Sequence, residues 1–302
     1  MIVRRDLKWS KILAFSAKRL TYFTLVATLV FLVHEVLNYT RIAIPFGVVS
    51  TLGSALAIFL AFRNNSSYDR WWEARKIWGG IVNSSRTWGR QATTFLHNAN
   101  PDEIKVLVYR HLAWINALRL QLRNQDTWEE LDPFLSTEEK AWLMNRKNKA
   151  TQLVQKQGEA LGQVLKQGGL SELRHQLMDQ TLTELYNLQG KCERIKNTPM
   201  PRQYDFFTRF FVYVFATLLP FGMIDLLDAK HIAWVVIPLT VLISFCFSVL
   251  ETVGMYNEDP FENRIQDTPM TALCRTIEID LREQLGETEL PPKLEPVDGF
   301  LF

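Results

Sequence analysis

Ile58 and Phe62 stand one helical turn apart, and the residues after them change character at once: Arg63, Asn64, Asn65, Ser66, Asp69, Arg70 and Glu73 follow within three turns. The stretch IFLAFRNNSSYDRWWEARKIWGG has no proline, and no glycine before Gly79–Gly80, so it reads as one helix running out of an apolar segment into charge. Ser54 occupies the same stripe one turn earlier. The chemistry open to this stripe is physical rather than covalent. An apolar ring above a polar, charged vestibule gates ions by excluding water when several copies surround an axis. Ile58 and Phe62 would supply such a ring. The expected vestibule lining is drawn from Arg63, Asn64, Asn65, Ser66, Asp69, Arg70 and Glu73. One copy supplies too few helices to enclose a pore, so this reading requires an oligomer.

Covalent chemistry has little to stand on. The chain has no phosphate-cradling G-x-x-x-x-G-K-[ST], no G-x-G-x-x-G, no G-x-S-x-G and no H-E-x-x-H. Its histidines (34, 97, 111, 175 and 231) are scattered without a second ligand at i+3 or i+4, and His111 reads as a core residue. Cys192, Cys246 and Cys274 have neither disulfide-framework nor metal spacing and read as passive thiols. Basic residues in the middle of the chain are interspersed with acids, so no nucleic-acid surface is expected. An enzyme is not expected, nor a cofactor.

The elements that must position the stripe come from four uncharged windows: Leu20–Val33, Ile42–Phe62, Phe210–Ile224 and Ile232–Leu250. The mean hydropathy of −0.05 hides them by averaging. A helix spanning a bilayer needs about 20 mostly apolar residues. The second and fourth windows meet that outright, and the first and third do so with polar ends at headgroup level. The first window lacks an A-x-A-like exit, so a cleaved signal peptide is not expected. Arg4, Arg5, Lys8, Lys11, Lys18 and Arg19 face only Asp6 in the first twenty residues, which places that end in the cytoplasm. The expectation is a multi-pass membrane protein with both termini in the cytoplasm. Residues 1–62 would hold an N-terminal arm and two spans, 63–205 a helical cytosolic region, 206–254 two more spans, and 255–302 an acidic cytosolic tail.

Residues 63–205 read as helices throughout. "NPDE" at Asn100–Glu103 offers an Asn cap, a first-turn proline and two first-turn acids. "STEE" at Ser136–Glu139 is a capping-box pattern, and Ser171 caps a further helix after "QGG". "TPMPRQYD" carries two prolines and reads as a linker. Gly47, Ser50, Thr51, Gly53, Ser54, Ala55 and Ala57 make the outer half of the second span small and hydroxylated, fit either for close helix packing or for lining a wet cavity. The tail from Glu251 carries twelve acids against four bases. It is either solvated or docked on the basic N-terminal arm. Trp71 and Trp72 suit either interfacial anchoring or packing between subunits.

The segment "AIFLAFRNNSSYDRWWEARKIWGG" closely resembles the second-helix signature of the bestrophin family in its bacterial branch. "EDPFENRIQDTPMTALCRTIEIDL" (Glu258–Leu281) is similar to the segment after that family's last span. The resemblance implies an all-α membrane protein with four transmembrane helices per subunit and a large helical cytosolic region, assembled as a homopentamer whose second helices line a central pore. Small monovalent ions would pass, with a slight lean to cations taken from the bacterial branch, and chloride or another anion as the alternative. Carried onto this chain, the neck falls on Ile58 and Phe62 with Ser54 at the preceding turn, and relatives carry a bulky apolar residue in place of Ser54, so the neck here is expected to be a turn shorter. Animal bestrophins hold calcium after the last span. Glu258, Asp259 and Glu262 are the matching but sparser ligands here, and docking of the tail is preferred to calcium gating. A membrane-anchored helical scaffold or sensor is the reading from another class.

Overall fold

The computed structural model describes residues 1–3, 9–96 and 100–302, with side chains from residue 16 onward in the first helix. Arg4, Arg5, Asp6, Lys8 and His97 lie outside the described residues, as does the side chain of Lys11. Among the described residues the regular structure is helical: α1 (Trp9–Phe31), α2 (Phe46–Phe95), α3 (Pro101–Arg123), α4 (Thr137–Met144), α5 (Lys149–Lys166), α6 (Glu172–Asn197), α7 (Arg202–Asp228), α8 (Val236–Glu258) and α9 (Met270–Gln284). Among the described residues, four helical segments are long and apolar enough to cross a membrane: Ser16–Val36, Thr40–Phe95, Arg202–Asp228 and Ala233–Glu258.

The chain divides into two packing units, residues 4–70 with 199–258, and residues 1–3 with 71–198 and 259–302. The α2 helix contributes to both. Its 50 residues reach about 75 Å, more than twice the roughly 30 Å of a bilayer's hydrocarbon core. The reason it stays helical so far is visible in its burial. Val49, Gly53, Leu56, Leu60, Arg63 and Ser67 are buried at alternating spacings of four and three. Ala74, Ile77, Trp78, Ile81, Ser85, Trp88 and Ala92 continue the same stripe. One amphipathic period thus runs through both environments, with only the polarity of the opposite face changing.

In the first unit α1, α2, α7 and α8 share a core of Val30, Leu56, Leu60, Val212, Phe215, Leu219 and Val236. Close approach is made through glycine. A Cβ at Gly53 would lie 2.8 Å from Phe215, and one at Gly222 would lie 2.7 Å from Val49. The buried face of α8, the most apolar helix, is small or polar: Thr240, Ser244, Ser248, Glu251 and Gly254.

The second unit is built around α3, which is buried on nearly every face from Leu107 to Leu122 and packs against α5, α6 and α9. The sequence pattern exposes only one apolar face of α3. The rest is covered because Trp114, Asn116 and Arg119 find partners in Gln189, Leu112 O and Glu130. Asn100, Ser136 and Ser171 cap α3, α4 and α6 through their side chains. The acidic tail is not simply solvated. Its helix α9 buries Met270, Cys274, Ile277 and Leu281 in this core, and Val3 N donates to Gly299 O at 3.0 Å while Leu301 N donates to Met1 O at 2.9 Å. Among the described residues, backbone pairing joins the two chain ends.

Candidate functional site

Ile58 and Phe62 are 58% and 71% exposed, on the side of α2 opposite its packed stripe. At about 100° per residue, Ser54, Asn65 and Asp69 fall within roughly 40° of Ile58, and all three are exposed. Ser66 is exposed at the flank of this face, and its hydroxyl donates to Phe62 O at 3.1 Å. Ser54 donates likewise to Ser50 O at 2.9 Å, and Ser50 to Gly47 O at 3.0 Å. These hydroxyls spend their protons on their own helix, which leaves the stripe less polar than its composition. Ser50, Ser54 and Ala57 also border an open cavity of about 450 Å³ lined on its other side by Phe215, Leu219, Ile243 and Phe247. Of the small residues in this part of α2, Gly53 serves close packing, while Gly47 meets nothing within 4 Å.

Three of the expected lining residues are placed elsewhere. Arg63 lies about 140° from Ile58 and is 3% exposed. Asn64 lies against α8, where a Cβ on Gly254 would meet its Oδ1. Arg70 turns back to donate from Nε to Glu258 O at 2.6 Å. The cause is rotation: the three positions fall toward the packed side, where α7 and α8 supply acceptors. Glu73 is half-buried and takes Arg194 Nη2 at 2.5 Å. Trp71 donates its indole N–H to Gln266 O at 2.9 Å, while Trp72 is exposed.

Arg63 belongs to a ladder of alternating charge that sequence reading missed. Arg19 of α1 donates to Glu251 Oε2 (2.7 Å) and Ser248 Oγ (2.7 Å) on α8. Arg209 Nε of α7 faces Glu251 Oε1 at 3.9 Å, and its Nη2 donates to Asp205 Oδ2 at 3.0 Å. Arg63 Nη2 of α2 donates to Asp205 Oδ1 at 2.9 Å and faces Glu258 Oε2 at 3.5 Å. Three cations and three anions therefore tie all four long helices together one residue beyond Phe62. Each buried charge is offset by a neighbour, which makes loss of any single member costly. The signal available in the sequence was that each apolar window is bounded at one end by such a charge, at Arg19, Arg63, Arg209 and Glu251.

Two of the three suggested calcium ligands, Glu258 and Glu262, have separate cationic partners, and Asp259 is half-buried. Glu258 is 4% exposed and faces Arg63, and Glu262 pairs with Lys196 at 2.5 Å. Cys192 and Cys274 are buried, and burial pushes the Cys274 thiol up to about 11, so neither is a ready nucleophile.

Comparison with known proteins adds a family to this geometry. The family profile described as bacterial/fungal bestrophin protein matches residues 6–283. The voltage-dependent anion channel-forming protein YneE of Escherichia coli K12 is 35% identical over 262 residues, covering 85% of this chain and 83% of that one. The Salmonella typhi protein of the same name is 32% identical over 310 residues, 98% of each chain. The crystal structure of a bacterial bestrophin homologue from Klebsiella pneumoniae superposes with a TM-score of 0.84 at 31% identity, over 90% of this chain and 99% of that one.

Proposed function

The chain belongs to the bacterial and fungal bestrophin family, and on that premise we propose that it is a passive ion channel whose pore is lined by α2 from several copies, five by family resemblance. Ile58 and Phe62 form the neck, Ser54 precedes it, and Asn65, Ser66 and Asp69 line the vestibule below. The chain sits in the bacterial inner membrane with both termini in the cytoplasm.

The observation that carries this reading is the unpartnered stripe on α2. The exposed faces of the long helices differ in kind. On α1 and the helical turn that continues it to Val36 it includes Leu25, Leu29, Leu32 and Val36, an aliphatic row suited to lipid. On α2 two large apolar side chains sit between Ser54 and the polar Asn65, Ser66 and Asp69, a composition ill-suited to acyl chains over its whole length. An axis shared with other copies satisfies both parts, as a dry neck and a wet vestibule.

The lean to monovalent cations rests on Asp69. It is an exposed carboxylate within about two turns of Phe62 on the same face, whereas Arg63 and Arg70 are turned away and held by Asp205 and Glu258. Five such carboxylates would draw cations toward the neck. Anion conduction by the same architecture is the second reading, favoured by the names of the relatives, which are called voltage-dependent anion channel-forming proteins.

Cysteine substitution tests the lining. A thiol-reactive cation applied to Phe62→Cys channels in a planar bilayer is expected to block current, with Leu29→Cys and the parent chain unaffected. Equal insensitivity of Phe62→Cys and Leu29→Cys overturns the placement of the neck.

A further inference from the structure

At its far end α1 passes into a single π-helical turn, Leu32–Val36, the kind of local irregularity that re-aims a side chain. The side chain so aimed is His34. It is 3% exposed, and apart from Glu35 the rest of the turn is apolar. Its Nδ1 lies 2.7 Å from Glu35 Oε1, and its Nε2 lies 3.2 Å from Asp225 Oδ1 on α7. A carboxylate oxygen of Asp228, one turn further along α7, completes a group with His34 and Glu35 in which all the ligand atoms lie within 4.8 Å of one another.

The charge of this group does not close. Among the described residues, no lysine or arginine pairs with Glu35, Asp225 or Asp228, although the ladder at the other end of the same helices gives every carboxylate a guanidinium. With Nε2–H donating to Asp225, the Nδ1 lone pair points at a carboxylate oxygen 2.7 Å away, an arrangement that repels unless a cation lies between them. A proton there still leaves three carboxylates around one imidazolium. A divalent metal neutralises two of them and accepts both lone pairs.

We propose that His34, Glu35 and Asp228 form a binding site for a divalent transition-metal cation of the zinc class, with Asp225 holding the imidazole in place. The donor set decides the class, because imidazole nitrogen with carboxylate oxygen suits zinc and its neighbours, whereas calcium and magnesium take oxygen ligands. Asp225 fits the accompanying role, since a metal-bound histidine ordinarily donates its second N–H to a carboxylate. Glu35 and Asp228 are half-buried and Asp225 is exposed, so the site opens to solvent. Such an ion cross-links the ends of α1 and α7. Only the side from which metal enters, outside the cell, rests on the topology proposed above.

The test is calorimetric titration of ZnCl₂ into the purified, chelator-treated, untagged protein in detergent, which is independent of conduction. One saturable site per chain is expected, lost in His34→Ala. Asp228→Asn, at a half-exposed position that spares folding, is expected to weaken binding at least tenfold, and Asp225→Asn by roughly 10–100-fold. Absence of saturable binding, or binding unchanged in both His34→Ala and Asp228→Asn, overturns the site. A histidine titration at His34 without zinc binding also overturns it, because a proton then occupies the place assigned to the metal. A protein that binds zinc but passes no current retains this site and refutes the channel.

Discussion

Acidification should loosen the unit around α3 through His111. Its ring is fully buried, with centroids 6.2 Å from Trp88 and 5.0 Å from Trp114. Ser85 Oγ donates to Ile81 O at 2.7 Å and lies 2.8 Å from His111 Nε2, so the hydroxyl oxygen accepts from Nε2–H and the ring is neutral. Nδ1 has no partner, and a proton added there would be a buried charge without an anion. Burial accordingly pushes the imidazole from 6.5 down to about 3. Below pH 6.5 the unfolded chain binds a proton that the folded chain refuses until about pH 3. The stability from keeping His111 neutral is complete above 6.5 and is lost progressively as the pH falls between those values. At pH 5, about 1.5 units below the unfolded value, the loss is about 2 kcal/mol. Denaturant unfolding followed by tryptophan fluorescence at pH 7.5 and 5.0 measures it, with His111→Phe as the non-titrating comparison. The pH-dependent loss should be smaller in His111→Phe by about 2 kcal/mol. Identical losses in the two proteins refute the reasoning, whatever the absolute stability of the variant.

Ser54→Ile should lower single-channel conductance by adding one apolar turn, about 5.4 Å, to the neck. An equal or larger conductance contradicts a neck that Ser54 leaves short. Arg63→Ala removes one guanidinium from Asp205 and from the buried Glu258 and should cost about 3 kcal/mol, read as a fall in thermal midpoint. Pairing it with Asp205→Asn should recover part of that loss, and strict additivity would show that the two do not interact. Gly222→Ala drives a methyl to within 2.7 Å of Val49 and should cost about 1–3 kcal/mol. Gly47→Ala, which meets open space, should be near neutral in the same melting assay.

What was legible in the sequence was local. The caps at Asn100, Ser136 and Ser171 depend on neighbours two or three residues away, and the length of α2 on the absence of a breaker. Its rotation was not legible, because Ser54, Ile58 and Phe62 and the stripe beside them are both apolar enough to pack. Only the partners on α7 and α8 choose between them. Arg63 shows the same limit: its acceptors, Asp205 and Glu258, are 142 and 195 positions away. Without them, an arginine after an apolar run reads as a solvent-facing charge. In the sequence His34 is one of five scattered histidines, with Glu35 beside it just past the first uncharged window. Their significance needed α7 to bring Asp225 and Asp228 alongside.

The central claim, that this chain forms an ion-conducting pore, is tested most directly by purified protein in a planar bilayer under an asymmetric NaCl gradient. The account predicts discrete currents with a reversal potential displaced toward the sodium equilibrium potential, as Asp69 requires. Displacement toward the chloride potential would contradict the role given to Asp69. A silent bilayer, from protein that is folded and oligomeric, would contradict the channel itself.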